Sequence, residues 1–253
     1  MFIPRLIVCL LVALSPFFAS ASSTVPQEKM TVRFATDVNY YPFEYLDEQK
    51  QIQGFDIDLA RAVCAAVNLT CTFQHQRFDS LLLSLQFGRF DAVIAALDIT
   101  SERKEKVDFT DSYFSNTPLF VSKKLPIGTF STAGKFIGVK ANSSNQEYLV
   151  KYEKENSFII AYVTYAEAFS ALANGRIDAV FVDQVAASEF LKQADNSLYF
   201  TTQQIPEAQQ ALFSEGFAIA VKKGNSLLRQ RLNLGLKIIT ENGTYQTIYE
   251  RYF

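Results

Sequence analysis

The chain has 253 residues, 49% of them hydrophobic and 20% charged, with a formal net charge of −2 and a single histidine. That length buries one large core or two smaller ones. The near-balanced charge, without any basic run, argues against nucleic acid as a partner, and seven prolines and ten glycines leave no low-complexity tract.

The first segment reads as an export signal. Arg5 precedes an apolar run from Leu6 to Phe18, which ends on Ala19-Ser20-Ala21. A charge, a short apolar core and small residues form a cleavable secretory pattern, so residues 1–21 are expected to be removed. The run is too short to span a bilayer. Cys9 has Val8 before it rather than a small residue, which argues against lipid attachment. Without Arg5 the chain keeps 23 basic and 26 acidic residues, a net charge of −3. The expected product is exported, soluble and monomeric.

Further along, strands and helices alternate. Val32–Thr36 reads as a strand, Asp56–Val67 as a helix, Cys71–His75 as a strand, Asp79–Phe87 as a helix and Asp91–Leu97 as a strand. In the second half, Phe136–Lys140, Phe158–Val163 and Asp178–Val182 read as strands; Gln146–Glu155 and Tyr165–Asn174 read as helices. Such alternation predicts an α/β protein with parallel sheets. Cys64, at the end of one helix, and Cys71, at the start of the next strand, are expected to be bridged rather than free in an oxidising compartment. So short a loop stabilises by about 2–3 kcal/mol. Their spacing with the lone His75 makes no metal site, and no cofactor motif is present.

One unit occurs twice. Gly88-Arg89-Phe90-Asp91-Ala92-Val93 is matched by Gly175-Arg176-Ile177-Asp178-Ala179-Val180, with Leu85 aligned to Leu172 and Phe78 to Tyr165. Each copy reads as a helix, a left-handed glycine cap and a buried strand. Two lobes of similar design can face the carboxyl ends of their strands towards each other and enclose a ligand cleft. The residues after each repeat, Leu97 to Arg103 and Asp183-Gln184, should then line it.

Four motifs carry a specific resemblance: Thr36-Asp37-Val38-Asn39-Tyr40-Tyr41-Pro42-Phe43-Glu44, Gly54-Phe55-Asp56-Ile57-Asp58-Leu59, Asp98-Ile99-Thr100-Ser101-Glu102-Arg103 and Asn242-Gly243-Thr244-Tyr245. With them the chain, from about Thr31 to Phe253, resembles the periplasmic amino-acid-binding proteins of ABC importers (bacterial solute-binding family 3). The likeness is specifically to the arginine and lysine/arginine/ornithine group. The resemblance implies a two-lobed type II periplasmic-binding fold with two crossing strands, near Ser115–Phe120 and Glu215–Val221. Lobe 1 would comprise 25–116 and 217–253, and lobe 2 residues 117–216. It also implies delivery of the ligand to a membrane permease.

The same resemblance assigns a site. Arg103 matches the carboxylate clamp, a role that suits a bidentate guanidinium. Ser143-Ser144 precede the helix expected from near Asn145, whose free N–H groups attract an anion. Asp183 matches the partner of the ligand ammonium. Tyr40 and Phe78 match aromatic faces that sandwich the side chain, and such faces suit a planar guanidinium. Asp37 and Asp98 match pocket positions that supply negative charge, and Asp98 is the arginine-selective choice where broader binders carry Ser. Ala96 departs from the Gly common in arginine binders, so it narrows the pocket. The implied ligand is L-arginine, with a broad lysine/arginine/ornithine or polar amino-acid binder as the alternative. An exported dehydratase on the same fold, with Asp98 or Glu147 as its acid, is the alternative of another class. A cleft built to hold a cation favours ionised carboxylates over a protonated acid.

Overall fold

The computed structural model describes residues 29–125, 128–193 and 195–253. The expected signal at 1–21 and Cys9 lie outside these residues. The chain begins with β1 (Thr31–Thr36), a small antiparallel sheet of β2 (Asn39–Tyr40), β3 (Glu44–Leu46) and β4 (Ile52–Gln53), then α1 (Phe55–Ala66) and β5 (Thr70–His75). A 3-10 turn at Phe78–Ser80 leads into α2 (Leu81–Gln86), followed by β6 (Ala92–Val93), α3 (Ser101–Lys106) and β7 (Val107–Phe109). The middle of the chain carries β8 (Pro118–Lys123), β9 (Phe136–Lys140), α4 (Ser144–Tyr152), β10 (Phe158–Tyr162), α5 (Tyr165–Ala173), β11 (Ala179–Asp183), α6 (Gln184–Lys192), α7 (Asn196–Tyr199) and β12 (Phe200–Gln204). It returns through a 3-10 segment, Glu207–Phe213, to β13 (Ala220–Lys222), α8 (Ser226–Glu241) and α9 (Thr244–Tyr252).

These elements build two five-stranded sheets, ordered β5-β1-β6-β13-β7 and β10-β9-β11-β8-β12. In each, four strands run in one direction and a single strand, β13 or β8, is inserted antiparallel between two of them. Helices cover both faces, as parallel strands require. Leu59 and Val63 of α1 and Leu232 and Leu236 of α8 bury one face of the first sheet, and Leu81 and Leu85 of α2 the other. In the second sheet Phe169 of α5 and Phe190 of α6 stack on one side; Tyr148 of α4 stacks on Phe181 from the other. The two segments that join the sheets run side by side. Phe217 N–H donates to the Phe114 carbonyl and Tyr113 N–H to the Phe217 carbonyl, each at 2.8 Å.

The repeat has the same physical role in both sheets. Gly88 and Gly175 sit at φ +72° and +69°, a conformation glycine adopts without strain. Each ends its helix with an N–H donated to the aligned leucine, Leu85 or Leu172, at 3.0 Å. Each repeat aspartate then anchors its strand to the neighbour. Asp91 Oδ2 accepts from Arg33 N–H and Asp178 Oδ2 from Phe136 N–H, both at 2.9 Å.

The expected strand Asp91–Leu97 is shorter than its sequence suggests. Only Ala92–Val93 is regular strand, because Ala96 turns to φ +44° and breaks the extended run. The helix expected at Gln146–Glu155 begins two residues earlier, where Ser143 caps it by accepting from Gln146 N–H at 3.2 Å. Cys64 and Cys71 are bonded and tie the end of α1 to β5, with Cα atoms 6.1 Å apart. Among the described residues no helix is long and apolar enough to cross a membrane.

Candidate functional site

Four strands deliver their carboxyl ends to one place. Asp37 follows β1, Ala95 to Asp98 follow β6, Lys140 closes β9 and Asp183 closes β11. Two helix starts join them: Ser144 opens α4 and Tyr165 opens α5. Tyr40, Phe78, Ala96, Asp98, Arg103, Ser144 and Asp183 line a common cavity with Lys140 and Tyr165. Of the residues expected from sequence, Asp37 alone stands just behind this lining, reached through Lys140. The remaining space is about 10 Å³ for the centre of a water molecule, room for about one. An amino acid therefore enters only if the lobes part.

At one end of the cavity a buried cation faces two buried carboxyls. Thr100 caps α3 by accepting from Arg103 N–H at 3.3 Å, which fixes where the Arg103 side chain starts. Its Nη1 donates to the Asp98 carbonyl at 2.9 Å and its Nη2 to the Asn142 carbonyl, across the cleft, at 3.3 Å. Asp183 accepts from the Tyr40 hydroxyl, also across the cleft, from Asn145 Nδ2 at 3.1 Å and from the Tyr165 hydroxyl at 3.4 Å. Asp98 accepts from the Ser144 hydroxyl and from Asn116 Nδ2 at 3.0 and 3.1 Å. Asp98 is thus grouped with Asp183 and Arg103, at the end suited to a charged head group. Asp98, expected at the ligand's side chain, here lies beside Arg103 and bonds Ser144 and Asn116.

The other end is an aromatic slot that holds a lysine. Lys140 is 2% exposed, and its Nζ lies 4.2 Å from the centre of the Phe78 ring and 5.6 and 5.8 Å from those of Tyr40 and Tyr165. It forms an ion pair with Asp37 Oδ2 at 2.8 Å, while Asn39 Nδ2 donates to Oδ1 at 2.8 Å. A lysine that ends a strand reads from sequence as a solvated residue, and its place was not anticipated. The rule that ligands sit beyond strand ends points to it, since Lys140 is the last residue of β9. Tyr165 was legible in the repeat, where it aligns with Phe78.

The electrostatics follow from burial. Asp98 is pushed up to about 7, first by burial and then by Asp183, against the hydrogen bonds from Ser144 and Asn116. Burial also pulls the Arg103 guanidinium down, and Asp98 and Glu147 oppose that shift. Tyr40 and Tyr165 are held well above the usual phenol value by burial and by Asp183. Behind Ala96 lies a second carboxyl pair. Asp56 Oδ2 accepts from Ala96 N–H at 2.7 Å and from the Tyr113 hydroxyl at 2.9 Å. Its Oδ1 and both Glu44 oxygens are buried without a partner. Burial raises Asp56 to about 7, and burial followed by the Asp56 charge raises Glu44 well above its usual value. One proton shared between the two would satisfy both. Among the described residues no cluster of metal-ligating side chains is present.

The family profile of the bacterial extracellular solute-binding proteins, family 3, matches residues 32–253. The chain belongs to this family. ABC transporter arginine-binding protein 1 of Escherichia coli (strain K12) is 37% identical over 250 residues, 98% of each chain. A periplasmic binding protein of Salmonella typhimurium, solved to explain high arginine specificity, superimposes with a TM-score of 0.80 at 33% identity, covering 88% of this chain and 99% of that one. An ancestral amino acid-binding protein, a precursor of cyclohexadienyl dehydratase, gives a TM-score of 0.76 at 28% identity over 88% of this chain and 95% of its own. As a family 3 solute-binding protein, the chain has the two-lobed type II fold.

Proposed function

We propose that the protein is an exported solute-binding protein that captures a cationic amino acid, L-arginine first, and delivers it to an ABC transporter permease. One observation carries the reading: a buried guanidinium, Arg103, and a buried carboxylate, Asp183, line the same cavity. That pair complements the carboxylate and ammonium shared by all α-amino acids. In this reading Arg103 and the start of α4 at Ser144 take the carboxylate. Asp183, with Asp98 beside it, takes the ammonium, and Ala96 forms the adjoining wall. The side chain runs between Tyr40 and Phe78 towards Asp37. The aromatic faces of that slot and the Asp37 carboxylate beyond it suit a planar cation.

The lobes would comprise 25–116 with 217–253 and 117–216, closing about the paired segments at Phe114 and Phe217. The return of β13 to the first sheet supports that division. Periplasmic relatives and the signal-like residues 1–21 support export. A thermal-shift screen of the twenty amino acids and ornithine tests the reading, because a ligand at a hundred times its Kd adds about 2.7 kcal/mol of stability. Stabilisation by arginine is expected; no shift with any amino acid overturns it.

A second reading has one observation in its favour. Asp98, raised to about 7, could donate a proton as a dehydratase requires. Its bonds to Ser144 and Asn116 and its place beside Asp183 suit ammonium binding better. Incubation with a cyclohexadienyl acid, followed by absorbance of an aromatic product, separates the two.

A further inference from the structure

The Lys140–Asp37 pair lies where the proposed function puts the ligand's side chain. Asp37 is buried, and both of its oxygens are already engaged, one by Asn39 and one by Lys140. The aromatic faces that would stack on a guanidinium hold the lysine ammonium instead, closest to Phe78. An arriving guanidinium therefore meets a like charge in a confined, poorly solvated slot. Like charges held close in such a place repel strongly. It must push Lys140 off Asp37 or share that carboxylate with it. An uncharged side chain of the same shape meets no such repulsion, because Lys140 still balances Asp37 and can donate to a carbonyl oxygen.

We propose that Lys140 is the specificity-determining residue of the side-chain subsite. It is a tethered cation that competes with a cationic ligand for Asp37 and narrows the advantage of arginine over uncharged amino acids. The inference rests on the amino-acid-binding reading above. L-Citrulline is the informative partner to L-arginine, since its urea group keeps the planar shape and lacks the charge.

The test is calorimetry of both ligands on wild type and on Lys140→Met, which keeps an unbranched side chain and removes the charge. Wild type should bind the two within about tenfold of each other. The variant should bind arginine at least tenfold more tightly, with citrulline unchanged or weaker, so the arginine-to-citrulline ratio rises at least tenfold. If Lys140→Met does not melt cooperatively, Lys140→Gln carries the same expectation, because its amide still donates to Asp37. Binding of both ligands with a ratio unmoved within threefold overturns the role of Lys140 and leaves the binding reading intact. Absence of binding by wild type to any amino acid overturns both.

Discussion

Asp183→Asn isolates the charge that the ammonium of any α-amino acid would meet. Asp183 is 5% exposed, and its oxygens accept from Tyr40, Asn145 and Tyr165. The replacing amide keeps one acceptor oxygen and nearly the same shape, so the fold should survive with a stability change below about 1 kcal/mol, a melting shift under about 4 °C. Binding should not survive as well. Removing one partner of a buried ion pair costs about 3–5 kcal/mol. Asp98 moderates the loss: Asp183 helps to hold it near 7, so neutralising Asp183 lets Asp98 ionise more readily and meet part of the ammonium's charge. The expected loss is therefore near the lower bound, about 3 kcal/mol or about 150-fold in Kd. Calorimetry should find a similar factor for arginine, lysine and glutamine, because the ammonium is common to all three. A Kd within threefold of wild type, or a loss confined to arginine, refutes the assignment.

Other outcomes follow from the same geometry. Asp56 sits near 7 in the fold against an ordinary value of 3.8, so the folded state holds its proton more tightly and stability falls as pH rises from about 4 through 7. Asp56→Asn keeps an acceptor for Ala96 and Tyr113 and places a donor beside Glu44, so melting should rise at pH 8 and change little at pH 4; equal shifts at both would contradict this. Asp98 also titrates near 7, and an ammonium ligand favours its ionised form. Binding should therefore release protons and tighten between pH 6 and 8, which calorimetry in buffers of different ionisation enthalpy measures. Replacing Cys64 and Cys71 together by alanine should lower stability by about 2–3 kcal/mol with an unchanged Kd, since the bridge closes a short loop away from the cavity.

What could be read in advance follows from how local each cause is. Helix period, caps and strand alternation act within a few residues, so β1, α1, β9 and α5 were foreseen nearly to their ends. The break at Ala96 was not, because it depends on Asp56, forty residues earlier in the chain, accepting its N–H. β12, α3 and the two C-terminal helices were also not foreseen as elements. The family motifs pointed to Arg103, Asp183, Tyr40 and Phe78, which line one cavity. They could not give the partner of Asp37, because a lysine's burial depends on which carboxylate and rings the other lobe presents. The surroundings of Asp98 likewise depend on Asn116 and Ser144, which come from separate segments.

The position of β13 has a consequence for the order in which the molecule assembles. The second sheet uses only strands between Pro118 and Gln204, so all of its partners are present once that stretch has been synthesised. The first sheet is split until the chain is nearly finished. β13 must enter between β6 and β7, pairing Ala220 with Val93 on one side and Phe109 on the other. Contacts so distant in sequence are slow to form. The same late segment holds the loop after β6 in place, through Ile99 N–H on the Gly216 carbonyl and Ala218 N–H on the Leu97 carbonyl. A nascent chain that stops before Gly216 can complete its second sheet, yet it lacks the support that sets Asp98 and Arg103 opposite Asp183.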